Sequence, residues 1–172
     1  AFASLATHTS KKQAMCIVLG IITLGSLSSY FLMTPHMPYL AIIPQLLVDP
    51  AIAATFMLYH SMIADVCDLD ELETGSRREG SFGAVAGWVY KTGSSLAVLL
   101  SGIGLWLGGF DVLRGSEQSE GFIMSARLQF ALIPAIAGLI GLVIFAKYPI
   151  TREHALDVRR QLDAKQDGAQ VE

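Results

Sequence analysis

Residues 62–91 read MIADVCDLDELETGSRREGSFGAVAGWVYK, and the organisation of the whole chain follows from this stretch. Charge is dense here between two long apolar stretches, and Lys91 falls well inside the second of them. A charged side chain in an apolar segment is costly and normally faces protein or water. The stretch therefore predicts a charged connection between two membrane helices, followed by a helix that carries a buried lysine.

The chain as a whole has the composition of a membrane protein. Hydrophobic residues make up 52% of it and charged residues only 16%, whereas soluble domains carry about a quarter charged residues. A helix needs roughly 20 apolar residues to cross a bilayer core. Four stretches meet this requirement, at about 14–33, 39–66, 80–109 and 122–146. They predict an all-α membrane protein with four transmembrane helices, and residues 67–79 as a polar connection.

Several classes of function are disfavoured. The net charge is −3 and no basic stripe is present, which argues against nucleic-acid binding. Cys16 and Cys67 lack ligand spacing and are interpreted as free thiols. The loop carboxylates fit no closed metal-ligand set, and the neighbouring arginines indicate ion pairing instead. We therefore expect neither an enzyme nor a cofactor.

Two features of the spans leave a structural question. Asp49-Pro50 lies inside the second span, where Asp49 is either an intramembrane polar site or the N-cap of a helix that restarts with Pro50 at its first position. The third span contains the pairs Gly83/Gly87 and Gly104/Gly108. Small residues at this spacing let helices approach closely, so both pairs predict tight helix packing.

The distribution of Lys and Arg predicts the orientation. In a four-span arrangement most of them fall on one side, which places both chain ends and the 67–79 connection in the cytosol of a cell membrane. Residues 147–172 form a cytosolic tail, in which Thr151 could cap a short helix whose apolar positions are Ala155, Val158 and Leu162.

The central motif resembles that of a known family. SMIADVCD at 61–68 is followed by Glu71, Thr74-Gly75, Arg77, Glu79-Gly80 and then Lys91. This pattern resembles the glycoside–pentoside–hexuronide:cation symporters, the melibiose-carrier branch of the major facilitator superfamily. Those transporters have twelve helices. The resemblance implies that residues 13–146 correspond to helices nine to twelve, that residues 1–12 are the end of the preceding helix and its cytosolic loop, and that the chain is a C-terminal fragment.

The resemblance also implies a function. Such a protein would be a Na⁺- or H⁺-coupled symporter for sugars or glycosides that works by alternating access in the lipid bilayer. The coupling cation would bind mainly in the N-terminal half, which this chain lacks. The alternative is a non-transporting four-helix membrane scaffold, whose glycine-rich third span would form the interface with a partner.

Lys91 is the first candidate for a substrate-binding residue, because it is deep in its span and matches the family's lysine on the eleventh helix. Trp88, Ser94 and Ser95 share its helix face, and Trp88 could stack on a sugar ring or simply pack in the core. The alternative for Lys91 is a structural lysine that faces a water-filled cavity.

The charged connection has a different predicted role. Ion pairs among its residues could hold the inward gate shut and break on opening, since exposed pairs contribute only about 0–1 kcal/mol each. The alternative is a solvated loop without a gating role. The candidate gating residues are Asp65, Asp68, Glu71, Arg77, Arg78 and Glu79.

Overall fold

The structure is a computed structural model that describes residues 10–34, 37–115, 117–148 and 152–169. The described part contains five α-helices and two short 3₁₀ turns, at Pro38–Ala41 and Val112–Arg114. This confirms the predicted all-α class. The helices are α1 (Lys11–Leu32), α2 (Ile42–Thr74), α3 (Glu79–Leu107), α4 (Glu120–Ala146) and α5 (Arg152–Ala169).

The helix ends follow local capping chemistry. Ser10 and Ser119 precede α1 and α4, and their hydroxyls accept hydrogen bonds from the N–H groups of Gln13 and Phe122, each at 3.2 Å. Gly75 ends α2 with a φ of 69°, a conformation that glycine adopts without steric cost. The polar connection is therefore much shorter than predicted. Residues 67–74 are the last two turns of α2, because their Leu, Asp and Glu side chains allow the helix to continue until Gly75 stops it.

The N-cap interpretation of Asp49 is wrong. The α2 helix runs without interruption through Asp49 and Pro50, and Asp49 is exposed on it. Proline removes one backbone hydrogen bond from a helix. Val48 and Ala51, on either side of Asp49-Pro50, are 8% and 0% exposed, so packing holds this segment helical despite the lost bond. Thr151, the other predicted cap, lies outside the described residues.

The core lies where α1 packs against α2 and α4. Two glycines bring these backbones close together. A Cβ added to Gly25 of α1 would lie 2.6 Å from Val48 Cγ2 of α2, and one added to Gly138 of α4 would lie 2.3 Å from Thr23 Oγ1 of α1. Small side chains are needed at both places. The buried apolar cluster consists of Ala14, Met15 and Val18 from α1 with Ala51, Ala54, Leu58 and Met62 from α2.

The α3 helix stands apart from this core, since none of its residues is buried. Its C-terminal glycine pair packs as predicted: Gly104 faces Gln129 of α4, whose Nε2 donates to the Gly104 carbonyl oxygen at 3.0 Å. The prediction is wrong for Gly83 and Gly87, beside which a Cβ would meet nothing within 4 Å. Both glycines line a groove between α2 and α3, so the two helices are not in close contact there.

Three of the helical segments in the described part are long and apolar enough to cross a membrane, namely Lys11–Leu32, Pro38–Thr74 and Glu120–Ala146. The predicted count of four spans is thus not confirmed. The α3 helix has the necessary length, with 29 residues, but its glycines, serines and Lys91 lower its apolar character.

Candidate functional site

An ion-pair cluster lies where α1 begins and α2 ends, and Asp65 is at its centre. The Asp65 side chain is 5% exposed, and its Oδ2 is 2.7 Å from Lys11 Nζ. The same ammonium donates to the Ser61 carbonyl oxygen at 3.1 Å. Arg159 of α5 approaches from another direction, with Nη2 at 3.4 Å from Asp65 Oδ1. One buried carboxylate therefore connects three helices.

Asp68 extends this cluster by one turn of α2. Arg159 Nε donates to its Oδ2 at 3.2 Å, so a single guanidinium spans two carboxylates. Residues three apart on a helix share a face, which explains why Asp65 and Asp68 receive the same arginine. We call Lys11, Asp65, Asp68 and Arg159 the Asp65 cluster.

The other predicted gating residues form a second, more exposed group around the turn between α2 and α3. Arg78 makes two hydrogen bonds to the Asp70 carboxylate. Arg77 pairs with Glu79 and, at 3.7 Å, with Glu71. Both arginine side chains are more than half exposed. The hydrogen bond from Arg77 holds the pKa of Glu79 below its ordinary value, so Glu79 stays charged when the pH falls mildly.

The six predicted residues thus divide between two groups. Asp65 and Asp68 belong to the Asp65 cluster, whereas Glu71, Arg77, Arg78 and Glu79 belong to the turn. The prediction missed Lys11, Asp70 and Arg159. The three-residue spacing of Asp65 and Asp68 was a signal for a shared partner, but nothing in the sequence indicated which cation it would be.

A second lysine joins α1 to the end of α4. Lys12 Nζ donates to the Tyr148 carbonyl oxygen at 3.1 Å. The Tyr148 hydroxyl is buried and has no hydrogen-bond partner among the described residues. Burial, reinforced by the negative charge of Asp65, raises the pKa of Tyr148. Four helix ends are consequently held together at this side of the bundle.

At the opposite side, Arg127 of α4 holds the C-terminal end of α1. Its Nη2 donates to the Tyr30 carbonyl oxygen at 2.6 Å, and the guanidinium lies 5.2 Å from the centre of the Tyr30 ring. Carbonyl groups in the last turn of a helix lack intrahelical donors and favour a nearby cation. α1 is therefore fixed at both of its ends by cationic side chains.

The predicted substrate-binding residues lie together on α3. Trp88 is 68% exposed, and Lys91, Ser94 and Ser95 are exposed as well. Within the described part of the chain, Lys91 makes no ion pair or hydrogen bond. The structure thus presents a free ammonium and two free hydroxyls along one side of a helix, and their role in binding stays a prediction.

A groove of about 240 Å³ separates α2 from α3 beside this helix. Phe56 of α2 and Tyr90 of α3 meet edge to face in it, with ring centres 5.8 Å apart. Gly83 and Gly87, beside which a Cβ would have open space, line the α3 side. Aromatic walls with a few polar groups suit a small organic ligand. The other lining residues are Tyr59, His60, Ile63 and Ala86.

A metal centre has no support in the described residues, where no group of three or more His, Cys, Asp or Glu side chains is placed to hold an ion. Both cysteines are free, as predicted.

Comparison with known proteins gives two matches. A family described as MFS/sugar transport protein matches residues 1–152. A protein of Synechocystis sp. described as an uncharacterized symporter is 31% identical over 164 residues, which cover 93% of this chain and 30% of that protein. The chain thus spans about three tenths of the length of the curated relative that it matches. No solved structure matches it significantly.

Proposed function

This chain belongs to the MFS/sugar transport protein family, and from that premise we propose that it is the C-terminal portion of a cation-coupled symporter for sugars or glycosides. The match to transport proteins over residues 1–152 is the observation that carries the proposal. Membership of this family makes the chain a membrane-embedded protein related to transporters. The family match does not favour the alternative of a scaffold without transport activity. Na⁺ or H⁺ would bind mainly in the part of the longer protein that precedes this chain.

In this proposal α3 also crosses the membrane, which brings the number of spans to four, and α1 to α4 correspond to helices nine to twelve. The 29 residues of α3 extend over about 43 Å, more than a bilayer core of about 30 Å requires. Since no residue of α3 is buried, its faces are available to helices from the remainder of the transporter. The same contacts would supply Lys91 with the carboxylate that a cation inside a membrane needs.

The solute would bind along the face of α3 that carries Lys91. Tyr90 lines the groove between α2 and α3, and Lys91 follows it directly in the chain, so the lysine lies at the edge of the groove. An aromatic ring in the groove could pack against the apolar face of a sugar, while Lys91, Ser94 and Ser95 could hydrogen-bond to its hydroxyl groups.

The charged groups at the end of α2 would act as the inward gate in an alternating-access cycle. The Asp65 cluster joins three helices, and only its Asp65 carboxylate is well buried. The arginines of the turn pairs are more than half exposed. Exposed pairs contribute little stability each, so such a set can break and re-form during a cycle.

Uptake of labelled glycosides by the full-length protein, under imposed Na⁺ or H⁺ gradients, tests the proposal. Lys91→Ala is expected to lower uptake at least about tenfold, because it removes a charged hydrogen-bond donor from the solute site. Lys147→Ala is the matched control, since Lys147 is an exposed lysine just beyond α4. Uptake of glycoside that does not depend on the gradient would contradict the coupling. Equal uptake by the two variants would contradict the role of Lys91.

A further inference from the structure

The C-terminal helix α5 packs against the end of α2. Val158 is 3% exposed, and Arg159, the next residue, bonds to both Asp65 and Asp68. We propose that α5, here called the tail helix, is a releasable lock on the Asp65 cluster: it covers the cluster in the closed state and must leave before this end of the protein opens. The proposal rests on the proposed transport function and adds a regulatory element to it.

The contact is suited to release because its ion-pairing side chain is largely in water. The Arg159 side chain is 53% exposed, and ion pairs of such side chains contribute at most about 1 kcal/mol. Val158 is the buried apolar anchor, whereas the neighbouring Leu156 is 46% exposed. An ion pair of an exposed side chain breaks at low cost, so the Arg159 contact does not prevent the helix from leaving.

The tail helix contacts the same carboxylate that ties α1 to α2. Asp65 is shared between Lys11, which ties α1 to α2, and Arg159, which comes from the tail. When the tail helix leaves, Asp65 keeps its lysine, so the bundle stays folded while the carboxylates gain access to water. Loss of Arg159 should therefore change the opening of this end of the bundle without unfolding the protein.

Val158 offers a direct measure of release, since it is 3% exposed and precedes Arg159 on the tail helix. We would replace it by cysteine (Val158→Cys) in the full-length protein, in a Cys16→Ser/Cys67→Ser background, and measure the rate at which a maleimide labels position 158. Adding Arg159→Ala is expected to raise this rate about fivefold, the equivalent of one half-exposed ion pair. Arg160→Ala is the matched control: it removes the same charge from an exposed neighbour that makes no ion pair in the described part of the chain.

The outcomes separate the two proposals. Equal labelling of position 158 in the Arg159→Ala and Arg160→Ala variants would overturn the lock. If the wild type transports glycoside, faster labelling of position 158 with an unchanged rate of uptake would overturn it as well. Faster labelling together with altered uptake in the Arg159→Ala variant alone would support it. If the wild type takes up no glycoside under any gradient, the transport proposal fails, while the labelling rates still decide whether the tail helix covers the cluster.

Discussion

Removing Lys11 should destabilise the protein more than neutralising its partner Asp65, although both substitutions break the same ion pair. The Asp65 side chain is 5% exposed, whereas Lys11 is 33% and Arg159 53% exposed. Lys11→Met leaves a buried carboxylate with only the more distant Arg159, at 3.4 Å. Asp65→Asn leaves two cations that water can reach, and the amide oxygen can still accept a hydrogen bond from Lys11.

The magnitude follows from the asymmetry of burial. Breaking a fully buried pair by removing one partner costs about 3–5 kcal/mol, and exposed pairs contribute about 0–1 kcal/mol. With one buried partner and a second cation still present, we expect about 2–3 kcal/mol for Lys11→Met and about 1 kcal/mol for Asp65→Asn. The double variant should cost less than the two single variants together, because it leaves no unpaired buried charge.

Thermal unfolding of the purified protein in detergent measures these differences, with Lys147→Met as the control for loss of an exposed lysine. The control is expected to have the highest Tm, Asp65→Asn a lower one and Lys11→Met the lowest. Equal losses of Tm in the two single variants, or strictly additive losses in the double variant, would show that the burial of the Asp65 carboxylate does not determine the cost of breaking this ion pair.

Two further substitutions test the packing and the buried hydroxyl. Gly138→Ala should cost about 1–3 kcal/mol of stability, because its Cβ would overlap Thr23 Oγ1. Gly20→Ala, with open space around it, should be neutral or stabilising by up to about 1 kcal/mol. Measurements of Tm compare the two variants, and similar shifts would refute the close approach of α4 to α1 at Gly138. Tyr148→Phe should stabilise the protein by about 1 kcal/mol, since it removes a buried hydroxyl without a partner among the described residues. The pKa of Tyr148 is raised in the folded protein, so its contribution to stability is present below a pH of about 10 and is lost as the pH rises through the folded value. The Tm of the phenylalanine variant should accordingly fall less steeply above that pH, and parallel pH profiles would contradict this assignment.

The parts of the fold that depend on local composition were predictable. Hydropathy is a sum over neighbouring residues, so the apolar stretches of α1, α2 and α4 could be located, and Ser10, Gly75 and Ser119 bound helices through contacts within a few residues. The prediction was poorer where local rules conflict. Asp49-Pro50 has the pattern of a helix start, yet packing on α1 keeps α2 continuous there. The glycine-rich α3 has the length of a span, but its glycines, serines and Lys91 interrupt its apolar residues.

The sequence by itself determined the class of the protein, the approximate spans and the charged residues at the end of α2, because each of these properties is carried by residues that are close in the chain. Only the tertiary structure decided how those charges are paired. Lys11 and Arg159 are 54 and 94 residues away from Asp65, and they meet it because antiparallel helices bring distant ends of the chain to one side of the bundle. Likewise, Gly25 and Gly138 are glycines among many in the sequence, and only the approach of α2 and α4 to α1 shows why these two must be small.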